Sequence, residues 1–327
     1  MAMREKNIAI LGATGLVGRT MLKVLEERNF PVKNIRLLAT AKSVGLKIPF
    51  KNFDLIVEEV SESSFDGIDI ALFSAGKTAS KHWAPIAAKK GCIVIDNSSA
   101  WRMEREIPLV VPEVNAHTIK NYRGIIANPN CSTIQMVVVL NEIHKHFGLR
   151  RVIVSTYQSI SGAGQKGVNK LLSEIDIKEN KDPGQIAYNT MFHQIIDENG
   201  FTEEELKMIN ETRKIMEIPE LPITVTCVRL PILGGHAESI NIQTEKATSV
   251  EEIREVLGRH KSIVVLDEPM KQIYPTPAHS RDRDEVFVGR IREDKAFENG
   301  FYLWVVSDNL RKGAATNAVQ IAELYLD

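Results

Sequence analysis

A chain of 327 residues with 43% hydrophobic side chains, 41 Lys and Arg against 42 Asp and Glu, and a formal net charge of -1 has the composition of a globular protein long enough for two domains. It has no basic excess with which to hold nucleic acid, and its longest apolar runs, such as Met136 to Leu140, fall far short of the roughly 20 residues that span a bilayer. The scattered Cys92, Cys131 and Cys227 lack the spacing of a disulfide framework or a zinc site, so no metal is expected and any cysteine function must be individual.

The first element is Asn7 to Leu11, reached directly from charged Arg4, Glu5 and Lys6 with no apolar leader, which reads as a cytoplasmic chain. A glycine turn follows, then a helical stretch with Val17, Met21, Leu22 and Leu25 on one side. Short apolar segments at Ile35 to Ala39, Ile70 to Phe73, Ile93 to Ile95, Leu109 to Val111 and Ile125 to Ala127 predict further strands, with helix-like Ser80 to Lys89 between them. Residues 1–128 therefore read as a Rossmann-like, doubly wound α/β domain with a mostly parallel sheet.

After Pro129 the pattern changes to a buried helix from Thr133 to Phe147 and a strand from Val152 to Ser159 that enters Ser161-Gly162-Ala163-Gly164. The long segments Ile223 to Leu230, Glu238 to Gln243, Val286 to Ile291 and Phe301 to Ser307 predict a largely antiparallel sheet, making residues 129–311 an α+β domain. Polar Ile177 to Gly200 reads as a surface excursion towards a partner subunit, and Ala314 to Leu326 as a closing helix.

The turn Gly12-Ala13-Thr14-Gly15-Leu16-Val17-Gly18 joins the first strand to its helix, where backbone N–H groups and a helix N-terminus can meet a pyrophosphate. The same three glycines would also serve tight packing alone. Beyond the second strand, Thr40, Lys42 and Ser43 stand where an NAD-binding protein often has an acidic residue, and they suit the 2′-phosphate of NADP instead. A solvated loop lysine is the plain alternative.

Asn128-Pro129-Asn130-Cys131-Ser132-Thr133 places Cys131 at a helix start, where the macrodipole favours a thiolate and an oxyanion alike. Cys92 and Cys227 sit in strand patterns and read as small buried hydrophobes. The run Cys227-Val228-Arg229-Leu230-Pro231-Ile232-Leu233-Gly234-Gly235-His236 offers an arginine suited to a carboxylate and a histidine able to take a thiol proton. By itself His236 is one of eight histidines.

Together with Ser74-Ala75-Gly76, Asp96-Asn97-Ser98-Ser99-Ala100-Trp101-Arg102, Glu211-Thr212-Arg213-Lys214, Val286 to Arg292 and Trp304 to Ala315, these stretches resemble the bacterial aspartate-semialdehyde dehydrogenases across essentially the whole chain. The resemblance implies NADPH-dependent reduction of β-aspartyl phosphate to aspartate β-semialdehyde and phosphate, in a homodimer whose second domain is catalytic and dimerising. It assigns the closing helix, 312–327, to the first domain.

By that resemblance Cys131 is the nucleophile, His236 the acid/base, and Gln158 orients substrate beside the thioester. Asn130 positions the intermediate, Arg229 takes the α-carboxylate, Glu211 the α-amino group, and Arg102 with Lys214 the phosphate. Gly12, Thr14, Gly15, Leu16, Val17, Gly18, Thr40, Lys42, Ser43, Ser74, Ala75, Gly76, Ser161 and Gly162 follow the dinucleotide, and Asn309 meets the nicotinamide amide. Lys42 stands where many relatives have Arg, a less rigid phosphate contact. An N-acetyl-glutamyl-phosphate reductase, a non-catalytic relative and a cysteine hydrolase are the competing readings, separated by substrate, by loss of the cysteine or histidine, and by absence of NADPH binding.

Overall fold

The computed structural model describes residues 4–177 and 182–326. It divides into two compact units, one made of the chain through Asn130 with the segment from Ala314 onward, the other of Cys131–Gly313.

In the first unit, β1 (Lys6–Leu11), α1 (Leu16–Glu27), β2 (Val32–Ala39), β3 (Lys47–Phe50), β4 (Phe53–Glu59), β5 (Ile70–Phe73), α2 (Lys77–Lys89), β6 (Ile93–Asp96), α3 (Pro112–Asn115) and β7 (Ile125–Ala127) build a seven-stranded sheet of order β3-β4-β2-β1-β5-β6-β7. All neighbours are parallel except β3 with β4. Parallel strands buried on both faces need continuous apolar runs, and the buried residues 70–73 and 93–95 supply them. The strand order reverses between β1 and β5, and ligands of open α/β sheets bind at such a switch point.

Two expectations for this unit need correction. Leu109 to Val111 is not a strand: it makes one isolated bridge, Leu109 with Ala127, because Pro108 and Pro112 deny the ladder their N–H groups. The edge hairpin of β3 and β4 was not anticipated, since Pro49 and the turn at Lys51 and Asn52 interrupt its pattern.

The second unit contains α4 (Cys131–Phe147), β8 (Leu149–Gln158), α5 (Gly164–Glu174), β9 (Met191–Phe192), α6 (Glu203–Ile215), β10 (Ile223–Arg229), β11 (His236–Thr244), α7 (Val250–Gly258), β12 (Ile263–Val265), α8 (Pro277–Ser280), β13 (Val286–Glu293) and β14 (Gly300–Ser307). Its sheet has the order β12-β13-β14-β11-β8-β10-β9, antiparallel except for β12 with β13 and β8 with β10. Of the supposed surface excursion, residues 178–181 lie outside the described residues. The described remainder is not purely superficial: Glu174 accepts the N–H groups of buried Ile186 and Ala187 at 2.6 and 3.1 Å, and β9 extends the sheet beside β10.

The chain ends with α9 (Thr316–Glu323), whose Ala318, Val319, Ile321 and Ala322 join Ile8, Ile10, Leu25 and Ile70 in one buried cluster of the first unit. Among the described residues no helix is long and apolar enough to cross a membrane, and no cluster of His, Cys, Asp or Glu suits a metal ion.

Candidate active site

The first unit offers a cradle for an anion. Gly12 follows β1 with φ of +85°, and a Cβ built there would fall 2.4 Å from the Ser74 carbonyl oxygen at the end of β5. Only glycine lets the two strand ends approach so closely at the switch point. A Cβ on Gly18 would fall 2.3 Å from the Gly12 carbonyl oxygen, so this glycine seats α1 against the turn. Gly15 caps α1 without a side-chain bond and the first turn has no acid, which leaves the helix N-terminus open to an anionic oxygen. The turn fits a dinucleotide pyrophosphate on these grounds.

Thr40, exposed Lys42 and Ser43 follow β2 in a short 3-10 turn, and Ser74, Ala75 and Gly76 lead from β5 into α2. Arg102 is buried, its Nε donating to Asn128 O at 3.0 Å and its Nη2 to Asn97 O at 2.9 Å. Asn130, also buried, ends this part of the chain.

In the second unit Cys131 is the first residue of α4, half-buried, with no acid in the helix's first turn. A Cβ on Gly313 would fall 3.0 Å from that of Cys131, so the seat of this cysteine depends on a bare backbone behind it. Cys92 and Cys227 are buried, and burial pushes both thiols up, Cys92 to about 11, so neither is a nucleophile at neutral pH.

Register builds the floor of the site. His236 opens β11 opposite Gln158 of β8 and Ser307 of β14, and Glu238 stands opposite Thr156 and Val305. Strand alternation puts these side chains on one face, and all six residues are fully buried. Gln135, one turn after Cys131 on α4, donates to His236 O at 3.4 Å, and Gln158 Nε2 donates to Ser132 Oγ at 3.0 Å. The helix that carries the cysteine is thereby tied to the strands that carry the histidine and glutamine.

His236 is held in one tautomer. The backbone N–H of Ser159 donates to its Nδ1 at 3.0 Å, so the neutral ring carries its proton on Nε2, which has no hydrogen-bond partner among the described residues. Burial, with nearby Arg229 second, pushes the pKa of this ring down to about 3. At neutral pH it is uncharged and a donor at Nε2, whereas neutrality alone had suggested a base for the thiol.

Gly162 opens the space in front of that nitrogen. A Cβ there would fall 2.6 Å from Arg229 Nη1 and 3.3 Å from His236 Nε2. Arg229 Nη1 donates to Ser159 O at 2.7 Å. Asn309 braces the same loops: its Oδ1 accepts from Gly235 N–H at 3.0 Å and Ser159 Oγ at 3.1 Å, and its Nδ2 donates to Ser161 Oγ at 3.0 Å.

Two family models divide the chain between them. "Semialdehyde dehydrogenase, NAD binding domain" matches residues 7–122 and "Semialdehyde dehydrogenase, dimerisation domain" matches residues 140–312. The aspartate-semialdehyde dehydrogenase of Aquifex aeolicus is 54% identical over 98% of this chain and 97% of its own. The chain belongs to the aspartate-semialdehyde dehydrogenase family.

Solved structures of the family agree in fold. Aspartate semialdehyde dehydrogenase II of Vibrio cholerae, complexed with ASA, is 45% identical with a TM-score of 0.93, and 98% of each chain is covered. The Candida albicans member, determined with NADP, is 26% identical with a TM-score of 0.78 over 98% of each chain. Like its relatives, this chain joins a mostly parallel sheet to a mostly antiparallel one.

Within the second unit the family frame brings Gln158, Gly162, Arg229 and His236 together, with Ser161 and Asn309 bonded behind them. Glu211 is buried and Lys214 half-buried on α6, three residues apart as the sequence reading had them. Sequence reading missed four residues: Ser159, whose N–H sets the histidine tautomer; Gln135 and Glu238 beneath α4; and His193. Gln135 and Glu238 were detectable in principle, since Gln135 is one helical turn from Cys131 and Glu238 two strand positions from His236. His193 follows a strand of two residues and gave no local signal.

Proposed function

We propose that the protein reduces β-aspartyl phosphate to aspartate β-semialdehyde with NADPH, releasing phosphate, as a cytoplasmic homodimer in the biosynthesis of lysine, diaminopimelate, threonine, methionine and isoleucine. The observation that carries this reading is the small space in front of Gly162, where the Arg229 guanidinium and the donating His236 Nε2 converge. A carboxylate anchor and a hydrogen-bond donor for the acyl oxygen are the two groups needed by an amino acid being reduced at its far end.

The Cys131 thiolate attacks the acyl carbon, a carbon–sulfur bond forms as the carbon–oxygen bond to phosphate breaks, and phosphate leaves with that electron pair. Bound NADPH supplies the hydride that reduces the thioester. His236 Nε2–H then gives a hydrogen bond to the oxyanion of the tetrahedral adduct, the α4 N-terminus shares that charge, and collapse of the oxyanion with loss of the thiolate frees the aldehyde. Arg229 holds the α-carboxylate, Glu211 the α-ammonium group, Arg102 and Lys214 the phosphate, and Gln158 and Asn130 the reacting acyl group. The N-terminus of α1 with Gly12, Thr14, Gly15, Leu16, Val17 and Gly18 would hold the pyrophosphate, and Thr40, Lys42 and Ser43 the 2′-phosphate. Ser74, Ala75, Gly76, Ser161 and Gly162 would border the rest of the dinucleotide, and Asn309 would act near the nicotinamide by fixing Ser161.

The test is phosphate-dependent reduction of NADP by aspartate semialdehyde measured beside N-acetylglutamate semialdehyde. Turnover with the first substrate alone is the expected result, and preference for the second would overturn the assignment.

A further inference from the structure

His193, just beyond β9, touches two residues of the proposed site with one atom. Its Nε2 lies 3.2 Å from Gln158 Oε1 and 3.3 Å from Arg229 Nη2. Gln158 and Arg229 are register partners at the ends of β8 and β10, and β9 pairs with β10 at Arg229, so the sheet itself brings His193 to both.

One imidazole nitrogen cannot serve both neighbours. A guanidinium only donates, so a bond to Arg229 requires a lone pair on Nε2. The Gln158 amide nitrogen faces Ser132 Oγ at 3.0 Å and Glu204 Oε1 at 3.4 Å, and a carboxylate only accepts, so the amide oxygen is the atom turned to His193. A bond to Gln158 therefore requires a proton on Nε2. Burial holds the ring below the usual histidine pKa, with Glu204 opposing and Arg229 reinforcing the effect, so the ring has one proton to place.

We propose that His193 is a positioning residue that switches between Arg229 and Gln158 as substrate binds. With Arg229 unoccupied, Nε2 accepts from its guanidinium. When a substrate carboxylate takes over that N–H, the ring gives up its Nδ1 proton to water and takes one at Nε2, with no net change, and Nε2–H then fixes Gln158 Oε1. Capture of the carboxylate thus locks the residue that orients the acyl group, and an aldehyde lacking the carboxylate leaves Gln158 unlocked. The inference rests on the proposed roles of Arg229 and Gln158.

His193→Ala removes the lock while sparing Arg229. Its kcat should fall about tenfold, the factor one neutral hydrogen bond is worth, while KM for aspartate semialdehyde stays level or falls because a competitor for Arg229 is gone. His193→Gln, which still presents an N–H to Gln158, should recover most of the lost kcat. In enzyme labelled with 15N-histidine, the His193 Nε2 resonance should move to the protonated position when 2-aminobutyrate is added, a compound that keeps the α-carboxylate and cannot react. Propylamine should not move it, and neither ligand should do so in Arg229→Ala. An unchanged kcat in His193→Ala, or a tautomer indifferent to bound 2-aminobutyrate, overturns the switch while a raised KM in Arg229→Ala upholds the carboxylate site. A normal KM in Arg229→Ala overturns both.

Discussion

The turn after β1 and the floor beneath α4 are both built for polar partners, and they achieve it by opposite means. The turn works by omission: Gly12, Gly15 and Gly18 remove side chains so that backbone and helix N-terminus are bare. The floor works by accumulation, with Gln135, Thr156, Gln158, His236, Glu238 and Ser307 crowded into a fully buried interior. An omission has a strong local signature, because three glycines within seven residues stand out in any sequence. An accumulation drawn from α4, β8, β11 and β14 has none, since its members meet only through register and helix packing.

The contrast can be broken most sharply at Cys131, the proposed nucleophile. Cys131→Ala should lower phosphate-dependent turnover by roughly a thousandfold or more, with NADP titrations close to the parent's. Appreciable turnover in that variant would remove the thioester route. Gly12→Ala attacks the omission instead: the added Cβ overlaps the Ser74 carbonyl and the backbone keeps a positive φ, so thermal melting should show a loss of about 1–3 kcal/mol together with weaker NADP binding.

Glu238 provides a test specific to the buried floor. Neither carboxyl oxygen has a hydrogen-bond partner among the described residues, and burial, opposed by Gln135, pushes its pKa well above the carboxylate range. Below the unfolded value the proton is bound in both states and there is no penalty. As pH rises past it the unfolded chain releases the proton and the folded chain keeps it, so stability falls by about 1.4 kcal/mol per pH unit until the folded group ionises. Glu238→Gln removes that slope, and denaturation curves between about pH 5 and pH 8 should show the variant gaining on the parent as pH rises. A constant difference would mean that Glu238 is ionised in place.

The smallest effect belongs to the rim of the turn. Lys42→Glu should raise KM for NADP about five- to tenfold and leave KM for NAD nearly unchanged. Equal changes would return Lys42 to the role of a solvated loop residue.

These differences explain what the sequence made legible. Continuous apolar runs marked β1, β5, β6 and β7, and the polar frame of Cys131 marked the start of α4. Short or proline-bearing elements such as β3 and β9 lie below the length at which periodicity speaks. The residues proposed to react became visible through their joint motifs, but the tautomer of His236 depends on the backbone of Ser159, which no side-chain pattern encodes. His193 was silent for a related reason, because it matters through neighbours far away in the chain.

One consequence reaches back to how the molecule is made. The α9 residues Ala318, Val319, Ile321 and Ala322 lie in the same cluster as Ile8 and Ile10. A ribosome therefore delivers β1 long before α9, which supplies part of its packing. Until α9 emerges the sheet of the first unit lacks that apolar cover, so its core closes only after the second unit has been synthesised.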